Sequence, residues 1–229
     1  MAPASLSAAT PVTIFAAASL TGVFPQIEKG ARYSFAGSDQ LAVQIRQRAP
    51  ADVYAAASPK HTQLLYRDGF LLKPAVFATN KLIVLVPRSN PGRIRSVYDL
   101  RHDGLKIVIG DNTVPIGSYT RQILDTLGIT NDVMKNVVSQ EADVKGIVAK
   151  VALNEADAGF VYATDARPVA TRARVVALPA WAQPPIRYEI AIVKASSRVA
   201  AARAFVRKVL SKRGRLLLGR AGFGLPKKR

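Results

Sequence analysis

Three times the chain passes from an apolar, strand-like run into a helical one through residues that are small or carry a hydroxyl. The transitions are FAAASLT at 15–21, FAGSD at 35–39 and VPIGSY at 114–119. The first N–H groups of a helix have no partner inside it and lie at the positive end of its dipole. With Ala, Gly or Ser at the turn, an anion can approach those N–H groups closely. Three such starts in one chain point to donors converging on a common anion more than to isolated caps. Alternation of strand and helix in this order also sets the fold class: α/β layers with mostly parallel sheets.

The remaining pattern agrees. Strands are expected at Val12–Ala17, Tyr33–Ala36, Asp52–Ala57, Lys81–Val86, Leu105–Ile109, Gly159–Tyr162, Val175–Leu178 and Tyr188–Val193. Helices are expected from about Ser19 and over Asp39–Gln47, Pro59–Tyr66, Ser118–Leu127, Asp143–Leu153, Ala200–Leu210 and Arg213–Arg220. Gly128 closes the fourth of these, and Val144, Ile147, Val148 and Val151 form the apolar stripe of the fifth. In such sheets ligands sit beyond the carboxyl ends of the strands, at helix N-termini. All three opening transitions occupy that kind of position, and Glu141-Ala-Asp-Val144 is a fourth candidate.

Composition narrows the function. The 229 residues suffice for one large domain or two lobes, and 49% are apolar, enough for a sizeable core. No apolar run reaches the roughly 18–20 residues that a membrane helix needs. Met1 to Pro11 is small and polar, without a hydrophobic signal core. The absence of Cys rules out disulfides and thiolate metal sites. There is no GxSxG elbow, P-loop, HExxH or Cys–His pair, so nothing points to an enzyme.

The net charge of +18, from 33 Lys+Arg against 15 Asp+Glu, suggests an anionic partner. Twelve basic residues and no acidic one lie between Lys194 and Arg229. Arg203 and Arg207 share one helical face there, with Phe205, Val206, Val209 and Leu210 opposite. The simplest reading is the solvated face of an amphipathic helix; docking on an acidic surface, lipid or nucleic acid is the alternative. No zinc-finger spacing or RNA-binding aromatic motif supports nucleic acid. His61 and His102 are isolated and read as surface residues.

FAAASLT, FAGSDQLAVQI (35–45), APADVYAAAS (49–58), GDNTVPIGSY (110–119), EADVKGIVAKV (141–151) and EADAGFVYATDA (155–166) resemble segments of the periplasmic molybdate-binding proteins of bacterial ABC importers. So does the tail at 201–224, and the resemblance runs from about Val12 to Gly224. It implies a two-lobed α/β fold of the periplasmic-binding-protein type II class, with a ligand cleft between lobes. The first lobe would be discontinuous, 1–86 and 190–229, and the second would span 87–189.

By the same resemblance the bound oxyanion is held by Ser19, Ser38, the N–H groups of Ile116 and Val144, and the Tyr162 hydroxyl. Ser58 and Ser118 are lesser candidates. A tetrahedral dianion offers only acceptors, so donors alone suit it. The function implied is capture of molybdate, and of tungstate, for the membrane permease of an ABC importer. The expected protein is a monomer, periplasmic or at the outer face of the cytoplasmic membrane, with its export signal outside this sequence. No cofactor is expected, no nucleic-acid partner, and no direct protein ligand to molybdenum. The alternatives are a receptor for sulfate or phosphate, or a protein that binds nucleic acid or an anionic surface through its basic tail.

Two departures from the family pattern stand out. The stretch from Ser19 to Ser38 is short, so the first helix should be truncated. Asp39 stands where small or hydroxyl residues are usual. It either points away and favours its helix N-terminus, or accepts a proton from a protonated anion or contacts the metal centre directly.

Overall fold

A computed structural model describes residues 11–226. Most of the Met1 to Pro11 stretch and the last three basic residues of the tail therefore lie outside the described residues. In chain order the elements are β1 (Thr13–Ala17), α1 (Phe24–Ile27), β2 (Arg32–Ala36), α2 (Ser38–Arg46), β3 (Val53–Ala56), α3 (Pro59–Arg67), β4 (Ala75–Asn80) and β5 (Leu82–Pro87). They continue with β6 (Ile107–Gly110), α4 (Pro115–Leu127), α5 (Thr130–Met134), β7 (Val137–Glu141), α6 (Val144–Ala152), β8 (Ala158–Tyr162), α7 (Ala163–Ala166) and β9 (Ala173–Val176). β10 (Ile186–Ile192), α8 (Val199–Leu210) and α9 (Lys212–Arg220) complete the chain.

The strands form two five-stranded sheets, ordered β2-β1-β3-β10-β4 and β7-β6-β8-β5-β9. Each sheet repeats one plan. Three strands run parallel, the fourth is reversed, and the fifth pairs antiparallel with the fourth. The expectation of mostly parallel sheets is therefore corrected: parallel and antiparallel pairings are equally frequent. The reversed strand is in each case the first one laid down after the chain crosses between sheets. β5 follows β4 of the first sheet, and β10 follows β9 of the second.

This also moves the expected lobe limits. The apolar run at 82–87 pairs with β8 and β9, so it belongs to the second sheet and not to a first lobe ending at 86. The return strand begins at Ile186 and not at 190. A continuous apolar run announces a buried strand but not which sheet buries it. The two crossings lie against each other: the Gln183 amide accepts from Leu82 N–H at 2.9 Å and donates to Leu82 C=O at 2.8 Å.

Local chemistry explains several element ends. α4 starts at Pro115, three residues before the expected Ser118, because Pro is favoured at the first helical position where its missing N–H is not needed. Gly128 ends α4 in the left-handed conformation, φ 68°. The first helix is indeed cut short, to one 3₁₀ turn at Ala18–Leu20 and the single turn of α1. β4, α5 and β7 had no clear signal; β7 is a half-exposed edge strand without a continuous apolar run. In α8, Ala202, Phe205 and Val209 are buried, whereas Leu210 is exposed. Phe205 packs edge-on against Phe24, which in turn meets Phe77 of β4. The C-terminal helices thus serve the first sheet's core through their apolar stripe. No helix among the described residues is long and apolar enough to cross a membrane.

Candidate functional site

Between the sheets lies a cavity of about 20 Å³, reached by both lobes. The structure brings all five residues, Ser19, Ser38, Ile116, Val144 and Tyr162, to its wall. From the first sheet come the 3₁₀ turn after β1 and the start of α2. From the second come the starts of α4 and α6 and the end of β8.

The two serine hydroxyls are oriented by neighbours bonded to their oxygens. At Ser38, which is buried, Oγ accepts the Ala57 N–H at 3.1 Å, and the Ser38 carbonyl accepts the Tyr54 hydroxyl at 2.6 Å. The Ser38 hydroxyl proton is left for the cavity. Ser19 Oγ lies 2.9 Å from the Tyr188 hydroxyl. The Asn80 side chain sets the direction of that bond. Its Oδ1 accepts the Lys81 N–H at 2.9 Å, so its Nδ2 faces Tyr188 at 3.4 Å and Thr164 Oγ1 at 3.0 Å. Asn80 donates to Tyr188, Tyr188 donates to Ser19, and the Ser19 proton is directed outward.

The second lobe supplies backbone donors. Val114 caps α4 without a side-chain hydrogen bond, and Pro115 has no N–H. The first free donor of α4 is therefore Ile116. At α6 the Asp143 carboxylate takes the N–H groups of Lys145 at 2.7 Å and Gly146 at 3.3 Å. The N–H of Val144 is not taken by that cap. Asp143 also lines the cavity, a carboxylate whose charge is committed to the helix start.

Tyr162 is the sharpest feature. Its ring is packed edge-on to Tyr188 at 5.9 Å, and its hydroxyl is buried with no hydrogen-bond partner among the described residues. Burial, reinforced by the nearby Tyr188, Tyr119 and Asp165, pushes its pKa well above the usual tyrosine value. It stays a neutral O–H, able to donate into the cavity. Close by, the buried Asp165 pairs with Lys145 at 2.7 Å. Burial raises the Asp165 pKa and Lys145 opposes that rise.

Asp39 does not line the cavity. Its Oδ2 accepts the Thr113 hydroxyl at 3.1 Å, across the gap from the second lobe. It sits in the first turn of α2, and its Oδ1 is buried without a hydrogen-bond partner among the described residues. Ser118 is exposed, and Ser58 is occupied as the cap of α3, accepting from Lys60 N–H at 3.2 Å. His61 is partly buried, which lowers its pKa, and Asp39 partly offsets that. No cluster of three or more His, Cys, Asp or Glu suited to a metal ion occurs among the described residues. Reading the sequence missed Tyr188, Asn80 and the Ala57 N–H. No local pattern marks them, because each acts on a residue far away in the chain.

The chain matches the family model of bacterial extracellular solute-binding proteins over residues 12–224. It is 39% identical over 225 residues to the molybdate-binding protein ModA of Mycobacterium tuberculosis, covering 94% of this chain and 85% of that protein. Identity to the Escherichia coli ModA is 33% over 202 residues, covering 80% and 77%. Among solved structures, the periplasmic molybdate-binding protein of Azotobacter vinelandii superposes with a TM-score of 0.81 at 23% identity, over 94% of this chain and all of that one. That likeness speaks for the two-lobed fold.

Proposed function

Since this chain belongs to the bacterial extracellular solute-binding proteins and, among them, to the molybdate-binding ModA proteins, we propose that it captures molybdate outside the cytoplasm for an ABC importer, with tungstate as a second ligand. The observation that carries this reading is the buried Tyr162 hydroxyl without a partner, in a cavity whose wall also presents two directed serine hydroxyls and two uncapped helix N–H groups. Ser19 and Ser38 donate from the first lobe; Ile116, Val144 and Tyr162 donate from the second. The metal is reached only through its own oxygens, and no covalent step occurs. Capture favours the closed arrangement of the lobes, and the membrane permease reads that arrangement.

The energetics suit neutral donors. A hydrogen bond to a charged partner contributes about 1.5–3 kcal/mol, so five can hold a dianion tightly after ordering and desolvation costs. A cation in the same place would be buried unpaired each time the cleft closed empty, which is expensive.

Titration calorimetry of the purified chain with molybdate, tungstate, sulfate and phosphate tests the reading. Heat with the first two is expected. No heat with either overturns it, and a stronger response to sulfate moves the ligand to a smaller oxyanion. Tyr162→Phe removes one donor and keeps the ring packing. It should weaken molybdate binding about 10- to 100-fold. Unchanged affinity would remove Tyr162 from the cage.

A further inference from the structure

A second cavity, of about 370 Å³, opens beside the first and shares Ser19 with it. Its wall comes from both lobes. Gln26 and Arg220 stand on one side, Lys145, Thr164 and Arg167 on the other. Three of these are cations, and among the described residues no carboxylate lines the cavity. Lys145 is compensated by the buried Asp165. Arg167 and Arg220 have no carboxylate partner among the described residues. Moreover, Arg167 Nη1 donates to the Arg220 carbonyl, covering the negative end of α9 that would otherwise face an approaching anion.

The two cavities divide two physical tasks. Neutral hydrogen-bond donors act only at contact, so the cage exerts little pull on a dianion in solution. Charges act at longer range, limited to about 8 Å at physiological salt, so only cations near the opening matter. A cleft lined by one sign of charge raises the association rate of the opposite ion. We propose that Arg167 and Arg220 form a capture vestibule that concentrates the oxyanion at Ser19 and sets the association rate, while the neutral cage sets the dissociation rate. This rests on the oxyanion reading above.

The test is stopped-flow tyrosine and tryptophan fluorescence with sodium molybdate, on the full chain, at low and high NaCl. Arg220→Gln keeps the backbone carbonyl that Arg167 contacts and removes one charge. Arg207→Gln, on the exposed face of α8 and lining neither cavity, removes the same charge elsewhere. Arg220→Gln is expected to lower the association rate about threefold at low salt, with the dissociation rate unchanged and the difference gone by about 0.5 M NaCl. Arg207→Gln is expected to leave the association rate close to that of the parent. Equal slowing by both substitutions, no slowing by Arg220→Gln, or an effect on dissociation alone overturns the vestibule. Absence of calorimetric heat from the parent protein with all four oxyanions overturns the oxyanion reading itself, and the vestibule with it.

Discussion

Gly37→Ala is expected to weaken molybdate binding about a hundredfold, through two or more lengthened hydrogen bonds to the charged ligand, while the ligand-free protein melts almost unchanged. The backbone at Gly37 has φ −56°, which any residue adopts, so Ala causes no backbone strain. The obstacle is across the cleft. A Cβ there would stand 2.6 Å from the Ala142 carbonyl oxygen, two residues before Val144, and 2.7 Å from Asp39 Oδ1. The Asp39 side chain can turn, but the carbonyl is backbone. The lobes must therefore stay further apart, and Ser38 can no longer share a ligand with Val144 at full hydrogen-bond strength. Calorimetry paired with thermal melting of the ligand-free protein checks this. Parent-like affinity would mean that the lobes do not meet at Gly37 when the ligand is held.

The second large effect is on stability. Gly117 lies in the first turn of α4 and is pressed onto the end of β6. A Cβ at this position would lie 1.8 Å from the Asp111 carbonyl oxygen and 2.4 Å from that of Gly110. Neither is a flexible side chain, so the helix start must lift away from the strand. Overpacking against side chains costs about 1–3 kcal/mol, and a backbone clash exceeds that range. Gly117→Ala should therefore cost upwards of about 3 kcal/mol, or about 10 °C in melting temperature for a chain of this size. Because Ile116 rides on the same turn, the stabilisation that molybdate gives the parent should shrink as well. Melting curves with and without molybdate measure both effects. An undisturbed melting temperature would contradict the close seating of α4 on β6.

The helix starts were legible because their chemistry is local. Small and hydroxyl residues at 17–19, 36–38 and 117–118 report a turn and an open set of N–H groups wherever the chain goes afterwards. What could not be read was whatever depends on distant pairing. The run at 82–87 announced a buried strand, yet its partners β8 and β9 decide its sheet. Ser19 was visible, but Tyr188, which directs its proton, lies 169 residues away. Gly37 reads in the sequence only as a small residue at a turn; the opposite lobe places Ala142 against it. Asp39 was ambiguous for the same reason: its partner Thr113 belongs to the other lobe.

The two chain crossings have a mechanical consequence. Only Lys81 separates β4 from β5, and the return passage through 177–185 is clipped to Leu82 by Gln183. Two tethers laced side by side favour one motion over others: a swing of the lobes about the crossings, like the covers of a book. Ile116, Val144 and Tyr162 all ride on the same cover. Tyr162 pairs with Leu82 at the crossing itself, so on the proposed cage a swing carries Ile116 and Val144 away from the oxyanion while Tyr162 moves least. Release from that cage starts with the two helix-start N–H groups, and a transporter needs only to pry the covers apart to bring it about.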